Sequence, residues 1–430
     1  MSPNHRRAHR ALAGAATLLL TLGMTAFGAT AAVAAPAVDI AIVPGSPESA
    51  SDFVEWNGLL YFNGFNGTDQ VLYSFDGTTA NEVVGGGDGP PFDIYDLVVY
   101  QDKIFFAGFN GSTYPLWSWD GTVFEEIIGG VLGDPAPTYV AELAVYDGLL
   151  YLRGVDLLFS SVLYSWDGSI FEKPTGGDFA PINIFDPTVF DGKLFFAGSN
   201  GTETVLYSWA DGPGFDEISG GGDPAPLDLF DLYVHDGILY FSGSDGGDYV
   251  LYGWDGTDFS VVNGGGDTAP TDVEDFITYN GALYFPGYDG SDYYLYSWDG
   301  TDFTQIVGGT GSAPTPDSPG NFVIYNDVLY FDGDGDVSNT LHSWDGSIFT
   351  RYAAPPFDMD DSIVYNGVLY FNAEDGEGIE NIWSLRTAAV PELADTGVDP
   401  GISLGLAGMA LIAGVALLLT TRRREAEHAN

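Results

Sequence analysis

The chain has 430 residues, with no Cys, 59 Gly, 25 Tyr, 29 Phe and 9 Trp. Aromatic residues favour strands, and Gly with Asp favours turns, so the composition reads as all-β; the absence of Cys excludes a disulfide framework and any thiolate metal site. A formal net charge of −49 excludes nucleic acid as a partner, because binding phosphate needs clustered cations. Cations and basic partners are attracted instead.

The N-terminus carries Arg6, Arg7 and Arg10, then an apolar run from Thr17 to Phe27, then the small residues Ala32-Val33-Ala34. That order marks a secretory signal, residues 1–34, with cleavage expected after Ala34. Leaving aside the Arg residues of this signal and of the C-terminal tail, six basic side chains remain: Lys103, Arg153, Lys173, Lys193, Arg351 and Arg386. Set against the 61 acidic residues less Asp399, Glu425 and Glu427, they leave the mature domain near −52.

From residue 38 to 386 one unit is repeated eight times, and the copy from Val234 to Asp258 shows it clearly. It opens with a hairpin, as in FVEWNGLLYFNG, LYVHDGILYFSG and FITYNGALYFPG. Most of its turns are Asn-Gly or Asp-Gly, residues that accept the positive φ angles of a type I′ turn. A Gly/Asp-rich loop follows, then a third strand such as LYSWDG, then a fourth such as DFTQIV. The aromatic before the Asp is Phe75, Trp119, Trp166, Trp209, Trp254, Trp298 and Trp344, with Trp383 in the last copy; consecutive members lie 39 to 47 residues apart. Self-similarity at this period with four strands per unit predicts a β-propeller. The count gives eight blades, with seven as the alternative. The eighth unit lacks a fourth strand, and Val38 to Gly45 is expected to supply it and close the ring, removing open sheet edges. The unit YNGxLYF…LYSWDGT resembles extracellular bacterial and archaeal repeats with an ELWxxDGT signature, although here the Glu is usually missing and Tyr mostly follows the Leu. That resemblance implies a propeller and offers no active site.

Strand alternation sorts the loops to two faces. The tight turns fall on one; the loops between second and third strands and between units fall on the other, which is the candidate binding face. Four residues before the residue that precedes each first turn stand Asp52, Asp96, Glu142, Asp186, Asp231, Asp275, Asn321 and Asp361. Each begins the innermost strand of its blade, so these side chains are expected to ring the mouth of the central channel, with Asp93, Asp228, Asp272 and Asp358 three residues earlier adding charge. Carboxylates so close either hold a cation or are otherwise satisfied. One reading is a Ca²⁺ or basic-ligand site; the other has each Asp cap its own inter-blade turn. A second metal candidate is Asp332-Gly333-Asp334-Gly335-Asp336, whose alternating Asp suits Ca²⁺ but lacks full EF-hand spacing. Ca²⁺ is the one candidate cofactor.

The Trp column reads as core, packing between neighbouring sheets. Exposed aromatics are expected at Phe65, Phe109, Tyr114, Tyr249, Tyr288 and Tyr293. His235 and His342 replace repeated Tyr residues and read as structural. No Ser elbow, His-rich metal motif or nucleotide loop is present, so no catalytic residue is assigned.

The C-terminus places Leu393-Ala394-Asp395-Thr396-Gly397 before an apolar stretch from Ile402 to Thr420 and then Arg422, Arg423 and Arg424. Residues 402–420 are long enough to cross a bilayer, and residues 421–430 form a basic cytoplasmic tail; residues 387–397 are a short linker carrying the motif. The arrangement resembles the sortase sorting signal of Gram-positive surface proteins, in the LAxTG form of LPxTG. The resemblance implies cleavage between Thr396 and Gly397, transfer of Thr396 to the peptidoglycan precursor, and a membrane-inserted precursor of a wall-anchored protein. The expected function is a surface binding or adhesion module for a protein or glycan. The alternatives are a carbohydrate-active enzyme, which requires two carboxylates at hydrolytic separation, and a purely structural wall component.

Overall fold

The computed structural model describes residues 38–130, 133–156, 160–335 and 339–387. Their regular secondary structure is entirely β. No helix among the described residues is long and apolar enough to cross a membrane. The expected signal segment, sorting motif and span 402–420 lie outside the described residues, as does Asp336.

Each repeat folds as an antiparallel meander. In the first, Glu48–Trp56, Leu59–Phe65, Gln70–Phe75 and Ala80–Glu82 pair in sequence order. Asn57 and Gly58 take φ angles of 50° and 74°, the two positive values of a type I′ turn, and seat Trp56 opposite Leu59. Gln101 and Asp102 make the equivalent turn without glycine, at 45° and 58°.

The eight copies lie in seven sheets among the described residues. The seventh and eighth share one sheet through a pairing of Thr340 with Phe357. Val38–Ile42 lies in that sheet beside Glu380–Thr387. The Val43 N–H donates to the Ile382 carbonyl at 2.8 Å, and the Ser384 hydroxyl donates to the Ala41 carbonyl at 3.2 Å. Contacts also run from the last copy to the first: the Tyr365 hydroxyl donates to the Gly58 carbonyl at 2.7 Å.

The structure adds an element that four strands per unit did not anticipate. The Gly-rich exit of one unit runs parallel to the fourth strand of the next, as Gly86–Gly87 does beside Val123–Phe124 and Gly265–Gly266 beside Asp302–Phe303. Only glycine fits there. Gly87 has φ +80°, and a Cβ on it would meet the Phe124 carbonyl oxygen at 2.2 Å. The Asp that follows fixes the join: Asp88 accepts the Glu126 N–H at 3.0 Å, and Asp223 accepts the Val261 N–H at 2.8 Å.

The core sits between successive sheets. One cluster joins Phe190, Phe195 and Leu206 of the fourth unit to Leu229, Phe241, Trp254 and Phe259 of the fifth. The column from Trp119 to Trp344 is buried here, each ring packed on the Phe of its own fourth strand, with Trp254 and Phe259 centroids 4.7 Å apart. Trp383 does not belong to it, because it pairs with Phe371 at the position of the repeated Tyr, and Leu385 takes the Trp position. In two units the indole also reaches back to the preceding one: Trp209 donates to the Tyr151 hydroxyl at 3.0 Å and Trp298 to the Tyr240 hydroxyl at 3.1 Å. At the position facing Trp254 the second strand carries Phe195 instead of Tyr, and the Trp254 indole N–H is buried with no hydrogen-bond partner among the described residues. An unmet buried donor costs about 1–3 kcal/mol. Phe195→Tyr is therefore expected to raise the unfolding free energy by about 1 kcal/mol, while Tyr151→Phe lowers it by a similar amount; denaturant midpoints of the two variants check both signs.

Candidate functional site

The acidic column owes its residue types to backbone geometry. The first strand of every unit but the sixth slips register twice against the second, between Glu48 and Ser51 and between Ser51 and Val54 in the first unit. The residues at the position of the second slip, Asp52, Asp96, Glu142, Asp186, Asp231, Asp275 and Asn321, all have φ between 52° and 60°. Asp and Asn tolerate this left-handed conformation better than other side-chain-bearing residues. The slip also frees the backbone N–H of each column residue from its own ladder.

That N–H is taken by the carboxylate of the preceding unit. The Asp96 N–H donates to Asp52 at 3.2 Å, Glu142 to Asp96 at 2.8 Å, Asp186 to Glu142 at 3.3 Å and Asp231 to Asp186 at 2.7 Å. The Asp275 N–H donates to Asp231. The Asn321 N–H donates to Asp275 at 2.7 Å. Across the ends of the chain, the Asp52 N–H donates to Asp361 at 3.3 Å. The side chains thus cap backbone, but not in their own inter-unit turns: each caps the same position one unit further on. They are partly or fully buried. Arg153 lies beside the ring, 3.9 Å from Glu142, and donates to the Ile184 carbonyl.

One link differs. Asn321 turns its amide to Asp332 at 3.4 Å, and the Asp361 N–H goes to Asp360 at 2.9 Å. Asp332 is buried, and burial pushes its carboxyl well above the usual range; the Asn321 amide opposes this, while Asp275, Asp358 and Asp360 add to it. Asp334 has a different task, accepting the Asn339 N–H at 2.8 Å. Among the described residues no group of three His, Asp or Glu is placed to hold a metal ion.

The long-loop face carries aromatic clusters where its two loop sets meet. Across the second and third units, centroids run from Phe92 to Phe109 at 5.1 Å, to Tyr114 at 4.9 Å and to Tyr139 at 5.8 Å. Tyr95 flanks Tyr114 at 5.9 Å and donates its hydroxyl to the Val140 carbonyl at 2.9 Å. Tyr139 is 49% exposed, and its neighbours in the row are half-buried. A second cluster joins the fifth and sixth units, with Phe230 and Tyr249 at 5.2 Å and Tyr288 and Tyr293 at 5.2 Å. All six aromatics expected to be exposed are half-buried. Sequence reasoning missed Phe92, Tyr95, Tyr139 and Phe230, which lie in the first halves of first strands; the clearest available signal was Tyr139, a bulky ring where every other copy places Ser, Asp or Asn.

His235 and His342 are buried. His235 meets the Thr278 hydroxyl at 2.9 Å, and His342 meets the Thr340 carbonyl at 2.8 Å. Burial lowers the pKa of both rings. A cavity of about 260 Å³ lies against the outer strands of the fourth unit, lined by Asp178, Lys193, Ser208, Pro213 and Phe215 among others.

No family model matches the chain, and no curated protein matches it. Among solved structures it is similar to the computationally designed Ika8 protein, at 13% identity and TM-score 0.52, covering 80% of this chain and 98% of that one. It is also similar to the Dos1 propeller, at 12% identity and TM-score 0.51, covering 80% and 94%. At such identities the likeness concerns the fold alone, and the fold is that of a β-propeller.

Asp332 provides a pH test. Its folded pKa is raised above the ordinary 3.8, so its favourable contribution is complete below that value and is lost as pH rises through the folded one. Asp332→Asn is therefore expected to raise the unfolding free energy at neutral pH by on the order of 1–3 kcal/mol, the scale for an incompletely compensated buried polar group. The difference from the parent should vanish as pH falls below about 4. Thermal melts of both proteins across pH measure it.

Proposed function

We propose that this chain is a secreted, wall-anchored binding module: a propeller of eight blades, closed by Val38–Ile42 on the last blade, that engages a surface ligand through its long-loop face. The observation that carries the binding reading is the row Phe92–Phe109–Tyr114–Tyr139, with centroid steps of 4.9 to 5.8 Å. A repeat that needed these rings only for its own packing would place them in most units. Here they gather at the join of the second and third units, at the loop-side ends of strands for Phe92, Phe109 and Tyr139 and in a loop for Tyr114, beside the loops where recognition residues tend to sit. Support for the eight-blade count comes from the eight sequence copies together with the Asp52–Asp361 and Tyr365–Gly58 contacts between the last copy and the first.

The anchoring reading rests on the order of Leu393-Ala394-Asp395-Thr396-Gly397, the apolar stretch 402–420 and the three terminal Arg. In it, the helix holds the precursor in the membrane until sortase transfers Thr396 to peptidoglycan. Binding without turnover is the expected chemistry: both histidines are buried within the frame, His235 against the Thr278 hydroxyl and His342 against the Thr340 carbonyl.

Two measurements test this. Thr396→Ala in a sortase-bearing Gram-positive host is expected to move the protein from the wall fraction to the membrane fraction; unchanged wall attachment removes the anchoring reading. Phe109→Ala with Tyr114→Ala is expected to weaken binding of the full chain to purified envelope fractions by at least about tenfold, given about 1 kcal/mol or more for each large aromatic anchor. Wild-type retention by the double variant, with its melt unchanged, removes the assignment of the face.

A further inference from the structure

The sixth unit departs from the repeat at one place. Its first strand keeps only Ile277–Tyr279, whereas the other seven first strands have 9 residues each, as in Leu227–His235. The segment ahead of it keeps the pairing of the other units at Thr271, which exchanges backbone hydrogen bonds with Tyr288 of its own second strand at 2.7 and 3.0 Å, while the Asp272 N–H donates to the Tyr249 carbonyl of the fifth unit at 2.6 Å. Beside this segment lies a cavity of about 200 Å³ lined by Phe230, Tyr249, Asp272, Val273, Glu274 and Tyr293.

The lining has a definite chemistry. Three aromatic rings come from two adjacent units, with Phe230 and Tyr249 centroids 5.2 Å apart. Val273 is fully buried and supplies an apolar wall. Two carboxyl groups complete it; that of Asp272 accepts the Tyr293 hydroxyl at 3.5 Å. Burial first, and then the charges of Asp228 and Asp272 for Tyr249 and of Asp272 and Glu274 for Tyr293, raise both phenol pKa values and keep the rings neutral. Aromatic faces and carboxylates both attract a cation, and the attraction grows when the cation is desolvated. The sequence carries no Lys or Arg between Lys193 and Arg351, so the fifth and sixth units have no basic side chain of their own to place there.

We propose that this cavity receives the ammonium group of a lysine side chain presented by a partner protein. The proposal rests on the reading of the long-loop face as a binding surface and names what one part of it recognises. Size favours a single side chain: pockets for larger ligands run to about 300–1,000 Å³, and this one is smaller. The donor set does not suit a bare metal ion, which needs several oxygen ligands converging at short range, and no such group is placed among the described residues. A compact ammonium on an apolar stem matches a site with apolar walls and an acidic rim.

The test titrates the full chain, purified in mild non-ionic detergent, with Nα-acetyl-lysine methylamide, its arginine counterpart and its uncharged norleucine counterpart, followed by calorimetry at constant salt. The lysine compound is expected to saturate one site, and the norleucine compound to show no saturable binding. Asp272→Asn (which keeps a residue suited to the positive φ of 48° at this position) and Glu274→Gln should each weaken lysine binding about tenfold. Asp258→Asn, an exposed acid on the fourth strand of the fifth unit, should change it less than twofold and so separates the site from general attraction to an acidic surface. Equal binding of the norleucine compound, tighter binding of the arginine compound, or unchanged affinity in an Asp272→Asn, Glu274→Gln double variant with a wild-type melt overturns the proposal. If it fails while envelope binding still falls on changing Phe109 and Tyr114, the cavity assignment alone is lost. If envelope binding depends on neither cluster, the reading of the whole face falls with it.

Discussion

The hydrogen bond from a carboxylate in one unit to the freed backbone N–H of the next is the constraint on which the inner part of this structure depends. A bulge that turns Asp52 or Asp231 to positive φ leaves an amide without a ladder partner, and such a group, once buried, must be satisfied. The neighbouring carboxylate does so while also giving its own charge a donor. Two local costs are thereby offset by one contact, and because the contact crosses between units it transmits the angle of one sheet to the next. Small rotations per repeat are what set the curvature of a repeat protein. On the tight-turn side a second series does similar work, with Tyr100 donating to Gly148, Tyr146 to Gly192 and Tyr325 to Gly367. Inner strands are thus tied at both ends.

Departures from the repeat are informative because the repeat is otherwise so regular. In the seventh unit the column residue is Asn321, and a carboxyl appears instead on the second strand at Asp332, where burial and neighbouring acids push its pKa well above the usual range. In the sixth unit the first strand is short, and a cavity lies beside the segment that precedes it. Between the second and third units aromatic rings gather on the loops. Local rules broken without an evident structural gain mark the places where function is expected. The first of these three is a charge relocation within the frame, and the other two face the loops.

The charge of the chain has a divided meaning. Part of it is structural. Beyond the inner column, Asp76, Asp120, Asp255 and Asp299 each accept backbone N–H groups two and three residues on, and these bonds, with a Thr hydroxyl added for Asp76 and Asp120, hold their carboxyls below the usual range. Asp88, Asp223 and Asp267 fix the Gly-rich exits to the following unit. What remains is exposed and repels anions, which favours cationic or neutral ligands over anionic wall polymers.

The sequence by itself determined the β class, the number of repeated units, the type I′ turns at Asn57-Gly58 and its counterparts, and the burial of the Trp column. These follow from local rules of period, turn chemistry and side-chain size, which act within a few residues. It marked the acidic column, but it left the partner of each carboxylate open. That partner lies about 45 residues away in the chain, and no local rule reaches so far. Glycine runs such as Gly86–Gly87 read as loops because their pairing strand belongs to the next unit. Tertiary structure alone decided that Phe92, Phe109, Tyr114 and Tyr139 form one row, and that Phe230, Tyr249 and Tyr293 enclose a cavity with Asp272 and Glu274. Those side chains come from separate strand ends and loops, and only the packing of successive sheets brings them together.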